Sequence, residues 1–502
     1  MHWADSFLSS RKGDQVISTG ISPSGPIHVG NMREILTGDI VYRAARKLGM
    51  KSRFLYLCDD IDPLRRVYPF LKPEYSEHVG KPLYRIPSPD GNGTYAQHYV
   101  APFLDSLKKL EVDVEVIYSS ELYASGKFYE YIRKVIEERE KIASILEEVS
   151  GRKIGRGWFP YSPLCAKCGK INSAIPFSFE DPYVNYECNC GHTGKSDIRR
   201  DEGKMPWRVE WPAKWALLGV TIEPIGKDHG AAGGAFESSK RIASEIFGVP
   251  GPDTIVYERV MWKGRGPMHS STGVAIEISE ALKFTPEEAL RFFIAKGNPG
   301  RHLDFDPGLG LLSLTDDCEK YFNAYSGTDS ISDPDFREIV EYSGISGFHG
   351  PIEPSFRHLA TIVQIYSDSE SILRSLSRGG REFSVMDKNL EERIDKVKYW
   401  LENFAPDMVK FGMLPKGTRV ELSGEEKRVL ERFLDSVTSA EWDAQKIHDL
   451  VYLIASEESM DPPEVFRVFY RVLIGKDRGP RLGFFLSSMD RRRVTERLRE
   501  CI

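Results

Sequence analysis

The run Ser22-Pro23-Ser24-Gly25-Pro26-Ile27-His28-Val29-Gly30-Asn31 constrains the fold of this chain more than any other stretch. Upstream of it, Gln15 to Thr19 reads as a short strand. Downstream, Ile35, Leu36, Ile40, Val41, Ala44, Ala45 and Leu48 recur at three- and four-residue spacing, the period of a helix that Gly49 would end. Arg53 to Cys58 then reads as a second buried strand. The run is therefore the turn of a βαβ unit, set where free N–H groups and the helix dipole favour phosphate.

Two commoner phosphate loops are excluded. No Lys-Ser or Lys-Thr follows Gly25, so the turn is not a P-loop, and no Gly-x-Gly-x-x-Gly is present, which argues against a dinucleotide. What remains is Pro23-x-Gly25-x-x-His28-x-Gly30. The glycines admit close backbone approach, and His28 has a donor for a phosphate oxygen whose charge grows during reaction. The plain alternative is a Pro/Gly turn with a helix-capping histidine.

A second cluster carries metal chemistry. Cys165-x-x-Cys168 and Cys188-x-Cys190 form two pairs separated by nineteen residues, with Gly169 and Gly191 to make tight knuckle turns. Four thiolates predict tetrahedral zinc, and a closed four-ligand shell makes it structural; His192 is the alternative to Cys190 as fourth ligand. The other cysteines, Cys58, Cys318 and Cys501, are scattered, which is not a disulfide framework. No membrane-length apolar run or signal-peptide pattern is present, so a cytoplasmic protein is expected. Net charge is −6, yet Arg467 to Arg499 carries ten Lys/Arg against three Asp/Glu. This is either a solvated helix face or a local patch for a nucleic-acid backbone.

The 502 residues suffice for two to four domains. Alternating strands and helices run to about residue 120, with Val112 to Tyr118 as a further strand. Glu121 to Glu148 is helical, Tyr161 to about Arg200 is the cysteine-bearing insertion, and Thr254 to Glu258 marks a strand in the returning α/β region. After about residue 280 the chain reads as helices. These include Glu425 to Val437 and one opened by Asp461-Pro-Pro; Gly379-Gly380 and Pro415 to Gly417 read as linkers.

Pro23 to Gly30 resembles the HIGH signature of class I aminoacyl-tRNA synthetases, with Asn31 in place of the second histidine. Longer blocks resemble the class I lysyl-tRNA synthetases. They are Thr19 to Gly25, Cys58-Asp-Asp-Ile-Asp-Pro63, Lys204 to Trp215, Gly226-Lys-Asp-His229, Arg301 to Gly310 and Lys476 to Gly483. They run almost from end to end.

The fold class this implies is α/β: a Rossmann-type catalytic domain with a zinc-bearing insertion, followed by a helical anticodon-binding region. The expected parts are 1–120 and 201–279 as the two catalytic halves, 121–200 as the insertion, 280–345 as a stem-contact-like helical region and 346–502 as the all-helical anticodon-binding domain.

The activity implied is ATP-dependent activation of L-lysine and its transfer to tRNA(Lys), with Mg2+ accompanying ATP and activation requiring bound tRNA. A monomer is expected. The resemblance assigns ATP to Pro23, Ser24, Gly25, His28, Gly30, Asn31, Met268, Ser270 and Ser271. Its mobile KMSKS-type loop falls at Pro267-Met268-His269-Ser270-Ser271-Thr272-Gly273. Met268, Ser270, Ser271 and Gly273 fit there, but Pro267 and Thr272 replace both lysines; Lys263, Arg265 or His269 stand ready to compensate. Catalysis is assigned to His28, Asn31, Ser270 and Ser271.

Lysine's ammonium calls for a carboxylate and its stem for an apolar or aromatic wall. The candidates are Gly20, Ser22, Asp59, Asp60, Trp211, Trp215, Asp228 and His229, with Asp62 beside them. Glutamate-type synthetases are the competing resemblance, but Ser18 stands where they carry an arginine for the substrate carboxylate. Two further alternatives are a catalytically weakened, zinc-containing tRNA-binding paralogue and an adenylate-forming enzyme that works without tRNA.

Overall fold

The computed structural model describes every residue except 156, 232, 269–274, 347–349, 379–382 and 438–440. Two compact units divide the chain. The first comprises 1–282, 287–305 and 331–349, and the second 283–286, 306–330 and 350–502.

The first unit is built on a five-stranded parallel sheet. Its elements are β1 (Gln15–Ile21), α1 (Val29–Lys47), β2 (Ser52–Cys58), α2 (Tyr95–Lys109), β3 (Glu115–Tyr118), α3 (Trp207–Leu218), β4 (Ile222–Gly226), α4 (Ala235–Ile242) and β5 (Asp253–Tyr257). The strand order is β5-β4-β1-β2-β3, with every pair parallel. β1 to β3 grow in one direction and β4 and β5 in the other. The order reverses between β1 and β4, and such a switch point opens a crevice beyond the carboxyl ends of the strands. α1 ends as its sequence dictates: Leu48 caps it and Gly49 follows at φ +75°, a conformation that disfavours residues with a Cβ.

The helix-favouring stretch after β3 is broken into Ser119–Ala124, Tyr129–Glu137 and Arg139–Ser150. Gly126, at φ +70°, makes the first break. The cysteine-bearing segment forms a three-stranded antiparallel sheet of Ala174–Glu180, Tyr183–Cys188 and Thr193–Asp197. Its foot is a short antiparallel pair, Ser162–Pro163 with Gly203–Lys204.

Two buried arginines fasten α1 to later parts of the unit. Arg33 donates to the carbonyls of Asn298, Pro299 and Arg301. Arg291 pairs with Asp39 and donates to the Tyr342 carbonyl; Asp39 and Arg291 are each 1% exposed. Here the division differs from the expected 280–345 region. The helices Glu287–Ala295 and Phe336–Ser343 pack with each other and on α1, whereas Leu309–Tyr325 packs on Phe356–Ile365 in the second unit.

All regular elements of the second unit are helical among the described residues. Its core joins Val429, Phe433, Val451, Val465, Phe469, Phe485 and Leu498. Pro462, which has no N–H to lose, opens the helix Pro462–Ile474 after Asp461. Pro415 to Gly417 lies within this unit as a turn closed by Thr418 N donating to the Pro415 carbonyl, and joins no two domains. The other expected linker, Gly379-Gly380, lies outside the described residues. Among the described residues, no helix is long and apolar enough to cross a membrane.

Candidate active site

The loop Ser22–His28 leads from the carboxyl end of β1 into α1. His28 is the N-cap, and its backbone N–H donates to Asn31 Oδ1 at 3.1 Å. Asn31 therefore fixes the loop's entry into the helix. The His28 ring lies against Gly30: a Cβ built on Gly30 would stand 2.7 Å from the ring Cε1. Gly25 meets the Phe70 ring in the same way, at 2.6 Å. A Cβ on either glycine would have to displace a ring, the buried His28 imidazole at Gly30 and the exposed Phe70 ring at Gly25, while the φ of both lies outside the left-handed region.

Both flanks of the expected KMSKS-type loop touch this turn. The Met268 Cβ is 3.6 Å from the Gly30 Cβ position, Val29 N donates to the Ile276 carbonyl at 3.0 Å, and Ile278 N to the Ile27 carbonyl. Ser270 and Ser271, with His269, Thr272 and Gly273, lie outside the described residues. Arg265 packs over the Trp262 ring at 4.3 Å, in the turn that leads to Pro267.

Beside the loop, at the switch point, a cleft is lined by Gly20, Glu34, Leu57, Asp59, Trp207, Trp211, Lys214, Glu223, Gly226 and His229. Glu34 accepts from Gly20 N at 2.8 Å and from the Tyr257 hydroxyl at 2.7 Å. Glu223, on β4, accepts from Ser18 Oγ, Trp211 Nε1 and Trp215 Nε1 at 2.6–2.8 Å. Desolvation pushes both carboxyls up to about 7 against the pull of these donors. Trp207 and Trp211 stack at 4.7 Å, and His229 closes on Trp207 at 5.1 Å. The cleft thus offers carboxylates behind an aromatic wall, the chemistry that receives an ammonium on an apolar stem.

The expected lysine-pocket residues separate on this geometry. Gly20, Asp59, Trp211 and His229 line the cleft. Trp215 braces Glu223 from behind. Ser22 turns away to donate to Asp62 at 2.6 Å, Asp60 accepts from Ser120 N and Oγ, and exposed Asp228 pairs with Arg259.

Asp59 and Asp62 end a chain of buried charges. Asp62 pairs with Lys204, and Lys204 lies 2.8 Å from Glu210. Glu210 lies 2.8 Å from Lys214, which pairs with Asp59. All five groups are buried. Burial works against the charge of both lysines, but their carboxylate neighbours outweigh it and hold both ammonium groups above the usual lysine range. Burial also works against Glu210, and the two lysines outweigh it and hold the carboxyl below its usual value.

Sequence reading did not single out Glu34, Glu223, Trp207, Tyr257, Lys204, Glu210 or Lys214. For Glu223 a signal existed: one carboxylate inside an otherwise apolar strand, Ile222-Glu-Pro-Ile225.

In the insertion, the four sulfurs of Cys165, Cys168, Cys188 and Cys190 lie within 4.8 Å of one another. Cys165–Cys190 and Cys168–Cys188 are 3.6 and 3.7 Å apart. A tetrahedron with Zn–S bonds of about 2.3 Å has edges of about 3.8 Å, so the donor set fits zinc. Among the described residues, His192 is not part of the group.

The family model described as "tRNA synthetases class I (K)" matches residues 2–346. The chain belongs to this family, in its archaeal lysyl-tRNA synthetase branch. It is 50% identical over 497 residues to the lysine–tRNA ligase of Picrophilus torridus, covering 99% of this chain and 98% of that one. It is 49% identical over 502 residues to the lysine–tRNA ligase of Thermoplasma acidophilum, covering 100% and 99%. A solved glutamate tRNA ligase from Elizabethkingia meningosepticum is similar at 13% identity, with a TM-score of 0.46, covering 97% of this chain and 98% of that one.

Proposed function

We infer that the chain is a lysine–tRNA ligase: lysine and ATP give lysyl-adenylate and pyrophosphate, and the lysyl group passes to tRNA(Lys) with release of AMP. The cleft beside the nucleotide loop carries the reading, because Glu34 and Glu223 face an aromatic wall at the sheet's switch point. The substrate's own carboxylate is the nucleophile, so the protein's task is to align it with the α-phosphate and stabilise departing pyrophosphate. His28, Gly30 and Asn31 serve the nucleotide, as do Met268, Ser270 and Ser271 of the KMSKS-type segment. Glu34 takes the ε-ammonium, Tyr257 orients that carboxylate, and Trp207, Trp211 and His229 enclose the stem.

Cys165, Cys168, Cys188 and Cys190 hold a structural zinc ion that fastens the knuckles of the insertion. The helical second unit, with its basic end, receives the tRNA anticodon region. The protein works as a cytoplasmic monomer.

The test is ATP-dependent charging of tRNA with labelled lysine against other amino acids, with His28→Ala as control. Lysine charging lost in the variant supports the assignment. Charging of another amino acid keeps the class and overturns the specificity. A second reading, a catalytically weakened tRNA-binding paralogue, is favoured by Pro267 and Thr272 in place of lysines. tRNA binding without any charging would establish it.

A further inference from the structure

The lysine pocket has a lysine of its own. Lys214 lines the cleft, and its ammonium pairs with both Glu210 and Asp59. Glu210 is fully buried and faces Lys204 and Lys214 at equal distances of 2.8 Å. Lys214 is also near enough to Glu223 to favour that carboxyl's charged form. Its side chain is chemically the side chain of the substrate. A tethered group of this kind competes at an effective concentration on the order of millimolar.

We propose that Glu210 is a positioning residue for amino-acid recognition: it holds the Lys214 ammonium away from the pocket's carboxylates, so that they remain available to the substrate's ammonium. The inference rests on the reading of the cleft as the lysine site. Glu210 is suited to the task because Lys204 holds its other oxygen, and Lys204 is itself fixed by Asp62. Three carboxylates against two ammonium groups leave one net negative charge along the chain. Neutralising Glu210 removes that excess and leaves two buried cations facing each other. Lys214 then has Asp59 and the cleft carboxylates as its remaining anions.

The experiment uses the full-length, zinc-loaded protein in steady-state charging with tRNA, varying lysine and ATP separately. Glu210→Gln is expected to raise the lysine KM at least tenfold, with the ATP KM and the kcat at saturating lysine within threefold of wild type. The double variant Glu210→Gln/Lys214→Met removes the internal competitor and restores the net charge. Its lysine KM is expected to return to within about threefold of wild type, which loss of a merely structural brace does not produce. Should Glu210→Gln not fold, Glu210→Asp keeps the charge but draws it back from both lysines; a lysine KM raised threefold or more at constant ATP KM is expected.

An unchanged lysine KM in the folded single variant, or a double variant as impaired as the single one, overturns the inference. Wild-type protein that charges no lysine overturns the function and the inference together. Wild-type charging with unaffected variants overturns the inference alone.

Discussion

Gly30→Ala should inactivate this chain without unfolding it. The added Cβ would lie 2.7 Å from the His28 Cε1 and 2.8 Å from its Nδ1. Carbon atoms ordinarily approach no closer than about 3.5 Å, so the overlap with Cε1 is roughly 0.8 Å. The backbone has little room to yield, because Gly30 is the second residue of α1 and Val29 N is bonded to the Ile276 carbonyl at 3.0 Å. The imidazole must therefore swing off the nucleotide loop. Losing one preorganised donor to a developing phosphate charge costs about 10²- to 10³-fold in rate, or roughly 3–4 kcal/mol of barrier. The fold does not share this cost, since alanine is favoured over glycine in a helix by up to about 1 kcal/mol. Lysine-dependent exchange of pyrophosphate into ATP, run with tRNA present, measures the rate, and a thermal melt measures the fold. His28→Ala should be as inactive as Gly30→Ala, and the double variant no worse than His28→Ala, because the added methyl fits once the ring is gone. Activity of Gly30→Ala within threefold of wild type would refute the packing argument.

Three more outcomes are expected. Lysine's ammonium needs an ionised partner, and Glu34 and Glu223 have carboxyls pushed up to about 7. Below that pH the free pocket takes up a proton, so kcat/KM for lysine should fall about tenfold per pH unit for each group required and level off above pH 7. Glu34→Gln should lower the plateau and flatten the profile; an equally steep profile in that variant excludes Glu34. Cys188→Ser, or chelation of the native protein, should reduce bound zinc from one equivalent per chain and lower the melting temperature, checked by elemental analysis and calorimetry; a full zinc equivalent in the variant would exclude Cys188 as a ligand. Arg291→Met should destabilise the first unit by about 3–5 kcal/mol, read as an earlier unfolding transition in urea, because Asp39 loses its fully buried partner and keeps only the half-buried Arg43 at 3.0 Å. An unshifted transition refutes it.

The turn between β1 and α1 was legible in the sequence because its signals are local: an apolar strand, glycines, a histidine and helix periodicity fall within some thirty residues. The cysteine cluster was legible because paired ligand spacing survives the fold between the pairs. The cleft was harder to read. Asp59, Asp60 and Asp62 sit where a parallel sheet presents its ligands, but only Asp59 reaches the cleft, because Ser120 takes up Asp60 and Ser22 and Lys204 take up Asp62. Glu34 was hidden by its setting in an apolar helix face, and its role depends on Tyr257, more than two hundred residues away. Such pairings follow from strand order, which sequence periodicity does not specify. The helical second half shows the converse: Val429, Phe433, Val465 and Phe469 were readable as inward positions, whereas the exchange of short segments between the two units follows from long-range packing.

The arginines that fasten α1 also set a schedule for synthesis. The helix emerges from the ribosome early, yet Arg33 and Asp39 find their partners at Asn298, Pro299, Arg301 and Arg291. At roughly 5–20 residues per second, some 250 further residues take on the order of 12–50 s. Until then Arg33 lacks its carbonyl partners, and Asp39 has Arg43 of its own helix but not the buried guanidinium of Arg291. The nascent chain can assemble strands around the loop, but the helix that presents the loop docks for good only when the closing segments of the first unit, 287–305 and 331–349, have left the exit tunnel. Firm docking of the helix is thus a late event in the birth of a chain whose β1–α1 turn is among the first parts made.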